Sequence, residues 1–79
     1  MPTVLREDGL RVVIYLNDHD PPHVHVFGDG ETKVLIGDVE TDAEVIHTTG
    51  ATAAETRRAL AVVREHGAYL LRRWSELHG

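Results

Sequence analysis

The stretch that decides the fold is Leu10-Arg11-Val12-Val13-Ile14-Tyr15-Leu16. From Val12 to Leu16 it is an unbroken apolar run, which is typical of a strand covered on both faces. Asp8-Gly9 lies directly before it and supplies the positive φ angles of a type I′ turn. The sequence therefore predicts a hairpin in which residues 3–7 pair with residues 10–16.

Turn signals divide the rest of the first fifty residues into further short strands. Pro21-Pro22 cannot donate ladder hydrogen bonds, so the chain is expected to leave the sheet there and to re-enter it at His23. Gly28-Asp29-Gly30-Glu31 predicts a second hairpin turn. The strands expected here cover residues 23–27, 32–36 and 44–47. Because the connections are too short for crossover helices, we expect a largely antiparallel sheet of about four or five strands.

The remaining residues predict one long C-terminal helix that begins near Ala53. Thr52 and Glu55 fit a capping box, in which the hydroxyl accepts from the Glu55 amide and the carboxylate reaches back to the cap. An apolar stripe recurs every three or four positions at Leu60, Val63, Gly67, Leu70, Trp74 and Leu77. We expect this stripe to pack on the sheet, with pairing to a second copy of the chain as an alternative.

These elements predict an α+β fold in a single domain over residues 1–79. Its strand-rich half covers residues 1–50, and its helical half covers residues 51–79. A chain of this length has room for only one core.

Composition restricts the location and the partners. The chain has no cysteine, which excludes disulfides and thiolate metal sites and suits a reducing cytoplasm. No stretch approaches the roughly 20 apolar residues that cross a bilayer, so we expect no membrane contact. Residues 1–50 carry a net charge of −7, and residues 51–79 carry +2. Acidic surface repels phosphates, so nucleic-acid binding is expected only through the arginine-bearing helix, if at all.

The feature with most chemical interest is the segment His19-Asp20-Pro21-Pro22-His23-Val24-His25. His23 and His25 are two residues apart on a predicted strand, so both imidazoles leave the same face. Neutral imidazole is the commonest metal ligand, which makes this pair a candidate metal site. The candidate ligands are His23, His25, His19 and His47, with Asp18, Asp20 and Glu31 as carboxylate additions. The candidate binding residues are His19, Asp20, Pro21, Pro22, His23 and His25.

Three interpretations of this segment remain open from the sequence. It could hold a divalent metal such as zinc, it could bind a protein partner, or the histidines could decorate the exposed face of an edge strand. The pair resembles the H-x-H motif of cupin metal proteins, although Glu31 follows it later than in cupins. It also resembles the histidine-triad nucleotide hydrolases, but Phe27 stands at the third histidine position. No other catalytic motif is present in the sequence, and no catalytic residue is predicted.

Several blocks together carry a resemblance to a known family. They are Met1 to Arg6, the strand that ends near Tyr15, Asp20-Pro21-Pro22-His23-Val24-His25-Val26, and the terminal helix with Leu70-Leu71-Arg72-Arg73-Trp74. The sequence thereby resembles the small bacterial domain-of-unknown-function family 4160. The resemblance implies a gene encoded beside that of another small protein, in a two-gene unit similar to toxin–antitoxin modules. It implies no catalytic residue, and the acidic residues 38–50 depart from the family's pattern.

Two functions of different classes follow. The first is a non-enzymatic binding or regulatory protein that acts on a partner encoded nearby and needs no cofactor. The alternative is a metal-dependent hydrolase or nuclease that uses His23 and His25. The charge of −7 favours the first, because a nuclease must approach phosphates. A bound divalent ion would reverse the local field and remove that objection.

Overall fold

The structure is a computed structural model that describes residues 3–79; Met1 and Pro2 of the family-like start lie outside the described residues. The described chain contains five strands, β1 (Thr3–Glu7), β2 (Leu10–Val13), β3 (His23–Phe27), β4 (Glu31–Leu35) and β5 (Glu44–Thr49). They form one antiparallel sheet in the order β1-β2-β3-β4-β5. The predicted α+β class and antiparallel sheet are confirmed.

The first hairpin forms as predicted, but its second strand is shorter than the apolar run. Asp8 and Gly9 have φ angles of 58° and 74°, so the turn takes the expected left-handed conformation. β2 ends at Val13, because the Tyr15 N–H donates to the Asp18 carboxylate instead of to a neighbouring strand. Leu16 is consequently 67% exposed. Residues 14–22 form the connection from β2 to β3.

β3 lies at the centre of the sheet, hydrogen-bonded to β2 and β4. Val24 and Val26 are buried in the core, while His23 and His25 alternate with them and leave the opposite face. The interpretation of the histidines as decoration of an exposed edge strand is therefore wrong.

The prediction of one long helix is also wrong, because two helices follow the sheet. α1 (Ala53–Glu65) begins where predicted, and α2 (Gly67–His78) follows after a break at His66. His66 has φ −108° and ψ 20°, and the glycine after it is a poor helix former. A straight helix over residues 53–78 would extend about 39 Å, whereas the longest dimension of the domain is 33 Å. Neither α1 nor α2 combines the length and apolarity that crossing a membrane requires.

The helices pack on one face of the sheet as the apolar stripe predicts. Val63, Leu70 and Trp74 are buried in the same core as the sheet valines. Leu60 and Leu77 lie partly buried against it.

Only half of the predicted capping box forms. The Thr52 hydroxyl accepts from the Glu55 N–H at 3.1 Å, as expected. The Glu55 carboxylate instead accepts from the backbone N–H groups of Asp29 and Gly30, at 2.7 and 3.1 Å, and is nearly fully buried. Glu55 thus fastens the start of α1 to the turn between β3 and β4.

Replacing Trp74 by Ala is expected to lower the free energy of unfolding by about 3 to 5 kcal/mol. The indole is 5% exposed and is the largest side chain in this small core. Chemical denaturation measures the change. An unchanged unfolding midpoint would contradict this placement of Trp74.

The helix break is fastened to β1 by His66, whose Nε2 lies 3.0 Å from both carboxylate oxygens of Glu7. This hydrogen bond lowers the pKa of Glu7 below its usual value of 4.5. Its stabilising contribution is therefore complete above the ordinary pKa and is lost as the pH falls through the lowered pKa. We expect wild type to melt at a higher temperature than Glu7→Gln at neutral pH, and the difference to vanish in acid. A difference that persists unchanged in acid would exclude this linkage.

Candidate functional site

The structure brings together Asp18, His23 and His25, which we call the ligand cluster. Asp18 Oδ1 lies 3.5 Å from His23 Nε2, and Asp18 Oδ2 lies 3.3 Å from His25 Nε2. One potential ligand atom from each of the three side chains lies within 4.8 Å of the others. The three side chains are only 8 to 13% exposed. The cluster is therefore compact and largely sheltered from solvent.

A tight turn after β2 positions Asp18. The Asp18 N–H donates to the Tyr15 carbonyl at 3.1 Å, and the Tyr15 N–H donates to Asp18 Oδ2 at 3.0 Å. Burial alone would raise the pKa of Asp18, but the hydrogen bond from the Tyr15 N–H and the attraction of His25 and His23 in their protonated form outweigh burial and lower it. The side chain is therefore held in place as a carboxylate.

The backbone fixes the orientation of His23. Its Nδ1 lies 2.9 Å from the Pro21 carbonyl, which only accepts, so Nδ1 carries the proton of that hydrogen bond. In the neutral ring this leaves the lone pair on Nε2, the nitrogen that faces Asp18.

Glu31 orients His25 in the same way. His25 Nδ1 lies 2.8 Å from Glu31 Oε2, and an ionised carboxylate can only accept, so Nδ1 is the donor. The Nε2 of the neutral ring then also turns its lone pair toward Asp18. Glu31 is the first residue of β4 and lies opposite Phe27 in the β3–β4 pairing, close to the turn that Glu55 holds.

Two imidazole lone pairs and one carboxylate consequently converge on the same small volume. All of these groups are acceptors, so they repel one another unless a cation lies between them. That cation is either a proton on a ring or a metal ion. The chemical capacity of the ligand cluster is therefore to bind positive charge.

Aromatic rings enclose the ligand cluster. The Tyr15 ring packs edge-on against the His25 ring, with ring centroids 4.8 Å apart. The centroids of the Trp74 and His23 rings are 5.3 Å apart. The His78 ring stacks on Trp74 with centroids 3.9 Å apart. The C-terminal helix thus contributes to a site whose ligands all come from the first twenty-five residues.

The remaining sequence-predicted residues lie outside the ligand cluster. His19 and Asp20 are exposed and line a cleft of about 410 Å³ beside Asp18. His47 lies on β5 opposite Lys33, which itself lies opposite His25, so two strand spacings separate the two histidines. Of the carboxylates considered as additions, Asp18 and Glu31 are the two that contact the histidines.

The two prolines act through their backbone carbonyls. Pro21 accepts from His23, and Pro22 accepts from the Ile36 N–H at 3.0 Å, which holds the entry of β3 against the end of β4.

Sequence reasoning did not identify Tyr15, Trp74 or His78 as site residues. The sequence predicts Trp74 in the core and Tyr15 in a strand. No local pattern connects His78 to Tyr15, 63 residues earlier. An apolar run followed closely by an aspartate is the only local signal, since it lets Asp18 form a turn that ends the strand.

Comparison with known proteins gives one family. The family model described as "Domain of unknown function (DUF4160)" matches residues 9–75, which include the whole ligand cluster and Trp74. The predicted family resemblance is thereby confirmed. The comparisons with curated proteins and with solved structures gave no match.

The hydrogen bonds predict the tautomers of both cluster histidines. In metal-free protein, the neutral rings of His23 and His25 should both carry the proton on Nδ1. Long-range ¹H–¹⁵N correlation spectra distinguish the tautomers. The Glu31→Ala variant should release this preference in His25 alone, with His23 as the internal control. A proton on Nε2 of both wild-type rings would contradict the assignment.

Proposed function

The chain belongs to the DUF4160 family of domains of unknown function, and we propose that it is a metal-binding protein that holds one divalent transition-metal ion. The ligands are Asp18, His23 and His25. The observation that carries the proposal is the orientation of the two imidazoles, whose Nδ1 atoms are engaged elsewhere and whose Nε2 atoms face one carboxylate.

The distances within the ligand cluster suit a four-coordinate ion. Ligand atoms about 2.0 to 2.1 Å from a tetrahedral zinc ion lie roughly 3.3 to 3.4 Å from one another. The Asp18 oxygens lie 3.3 and 3.5 Å from the two Nε2 atoms. One potential ligand atom from each histidine lies within 4.8 Å of the other, so a small rotation of the rings would bring both onto the ion.

The groups behind the ligands also support a metal. Metal-binding histidines usually donate their second ring N–H to a carboxylate or a backbone carbonyl, which fixes the tautomer and increases ligand basicity. Glu31 and the Pro21 carbonyl have these positions here. Nitrogen and carboxylate oxygen ligands suit zinc and neighbouring transition metals.

Charge favours the same conclusion. Asp18 and Glu31 place two carboxylates around two imidazoles, and one divalent ion neutralises them. The net charge of −7 on residues 1–50 further favours uptake of a cation.

A proton on His25 is the competing occupant of the ligand cluster. An imidazolium would donate to Asp18 and to Glu31 together. It would leave the His23 Nε2 lone pair facing Asp18 Oδ1 without a proton between them. A metal ion satisfies both histidines at once.

Protein purified without a histidine tag and stripped of metal should bind one equivalent of Zn²⁺ by calorimetry. With Co²⁺ it should give the visible absorption of a tetrahedral site. The double variant His23→Ala/His25→Ala should lose both signals, since only one of the three ligands remains. The matched control His19→Ala/His47→Ala removes the two histidines outside the ligand cluster and should bind as wild type does. Equal binding by both double variants, or none by folded wild type, would refute the proposal.

Hydrolysis is a second candidate function because three protein ligands leave one coordination position for water, as in catalytic zinc sites. Asp18 lines the open cleft of about 410 Å³, so a substrate would reach the ion from that side. Metal-dependent cleavage of nitrophenyl ester or phosphodiester substrates by wild type, lost in His23→Ala/His25→Ala, tests this function. Binding of a protein encoded nearby, and pairing of the chain with a second copy, stay predictions of the sequence.

A further inference from the structure

We infer that His78, the last residue of α2, is a positioning residue for the metal site, an inference that rests on the proposed function. His78 Nε2 lies 3.1 Å from the Tyr15 carbonyl oxygen, and its Nδ1 lies 2.9 Å from the Trp74 carbonyl oxygen. Its ring also stacks on the Trp74 indole with centroids 3.9 Å apart. One side chain therefore contacts two residues that both touch the ligand cluster.

The first contact acts on Asp18 and His25 through Tyr15. The Tyr15 carbonyl that lies beside His78 also accepts from the Asp18 N–H, and the Tyr15 N–H donates to the Asp18 carboxylate. The Tyr15 ring packs edge-on against His25. A shift of Tyr15 would therefore move one ligand and release the packing of another.

Tyr15 needs such a contact because the sheet does not hold it. β2 ends at Val13, so no ladder hydrogen bonds fix the backbone at residue 15. The turn from Tyr15 to Asp18 is local and would move as a unit. His78 is the group from the helical half of the chain that lies within hydrogen-bond distance of that turn.

The second contact acts on His23 through Trp74. The Trp74 ring stacks on His78 with centroids 3.9 Å apart, and its centroid is 5.3 Å from that of the His23 ring. Stacking on His78 therefore restricts the movement of the indole that contacts His23. The two contacts together reach all three members of the ligand cluster.

A cap at the end of α2 would explain only part of this geometry. A histidine near a helix C-terminus can bond a carbonyl of the last turn, which accounts for Nδ1 and the Trp74 carbonyl. It does not account for Nε2, which lies beside a carbonyl 63 residues earlier in the chain. The position of Nε2 links the end of α2 to the metal site.

Such a link works in both directions. If the last turn of α2 strengthens metal binding, metal binding must stabilise the last turn of α2 by the same free energy. Zinc should therefore slow hydrogen exchange of the amides in that turn.

The test compares His78→Ala and His78→Gln with the matched control His47→Ala, a histidine on exposed β5. Zn²⁺ affinity is measured by competition with a chelator, and circular dichroism verifies the fold. His78→Ala should bind zinc about 10- to 100-fold more weakly, the range for residues that orient metal ligands. His78→Gln, whose side-chain amide can donate to the Tyr15 carbonyl, should recover part of the affinity, and His47→Ala should equal wild type. The Co²⁺ absorption bands should shift in His78→Ala alone.

A second measurement needs no metal. In metal-free protein, hydrogen exchange of the Asp18 amide should be faster in His78→Ala than in wild type and unchanged in His47→Ala. Unchanged exchange overturns the inference, and so does unchanged zinc affinity in folded His78→Ala. If wild type binds no zinc, the proposed function fails, while the exchange of the Asp18 amide still decides whether His78 positions this turn.

Discussion

The alternation of side chains along β3 is the constraint on which both the core and the site depend. Val24 and Val26 enter the core, so His23 and His25 must leave on the other face. A register shift of one residue would place the imidazoles among the aliphatic side chains and take the valines out of the core. The central position of β3 excludes such a shift, because strands on both sides fix its register.

The helices hold this strand at both ends. At its C-terminal end, the buried Glu55 carboxylate accepts two backbone N–H groups of the β3–β4 turn. At its N-terminal end, the Trp74 ring lies against His23. Hydrogen bonds to a charged group are stronger than neutral ones, and a buried carboxylate without them would be costly. The helical half therefore does more than cover the sheet, since it fixes the strand that carries the two imidazoles.

The break at His66 makes the second of these contacts possible. A helix that continued straight would extend beyond the domain, and its C-terminal turn would not return to the sheet. The break and the bond from His66 to Glu7 keep α2 close, so that Tyr69 reaches the Val4 carbonyl and His78 reaches Tyr15. The break at His66, which is followed by the poor helix former Gly67, thus lowers helix stability but allows α2 to pack close to the sheet.

The sequence by itself determined the features that depend on neighbouring residues. The turn at Asp8-Gly9, the start of α1 at Ala53 and the shared face of His23 and His25 follow from backbone preferences and from strand periodicity. These are local properties, so they could be predicted without knowledge of the fold.

Only the tertiary structure decided which groups complete the site. Four histidines and three carboxylates were candidates, and strand register placed His47 too far away while a turn brought Asp18 in. Local patterns also did not predict that β2 ends at Val13, that two helices form in place of one, or that the Glu55 carboxylate binds the β3–β4 turn. Each depends on a hydrogen bond or a length restriction that local patterns do not encode. His78 is the extreme case, because its partner Tyr15 lies 63 residues away and only the packing of α2 brings them together.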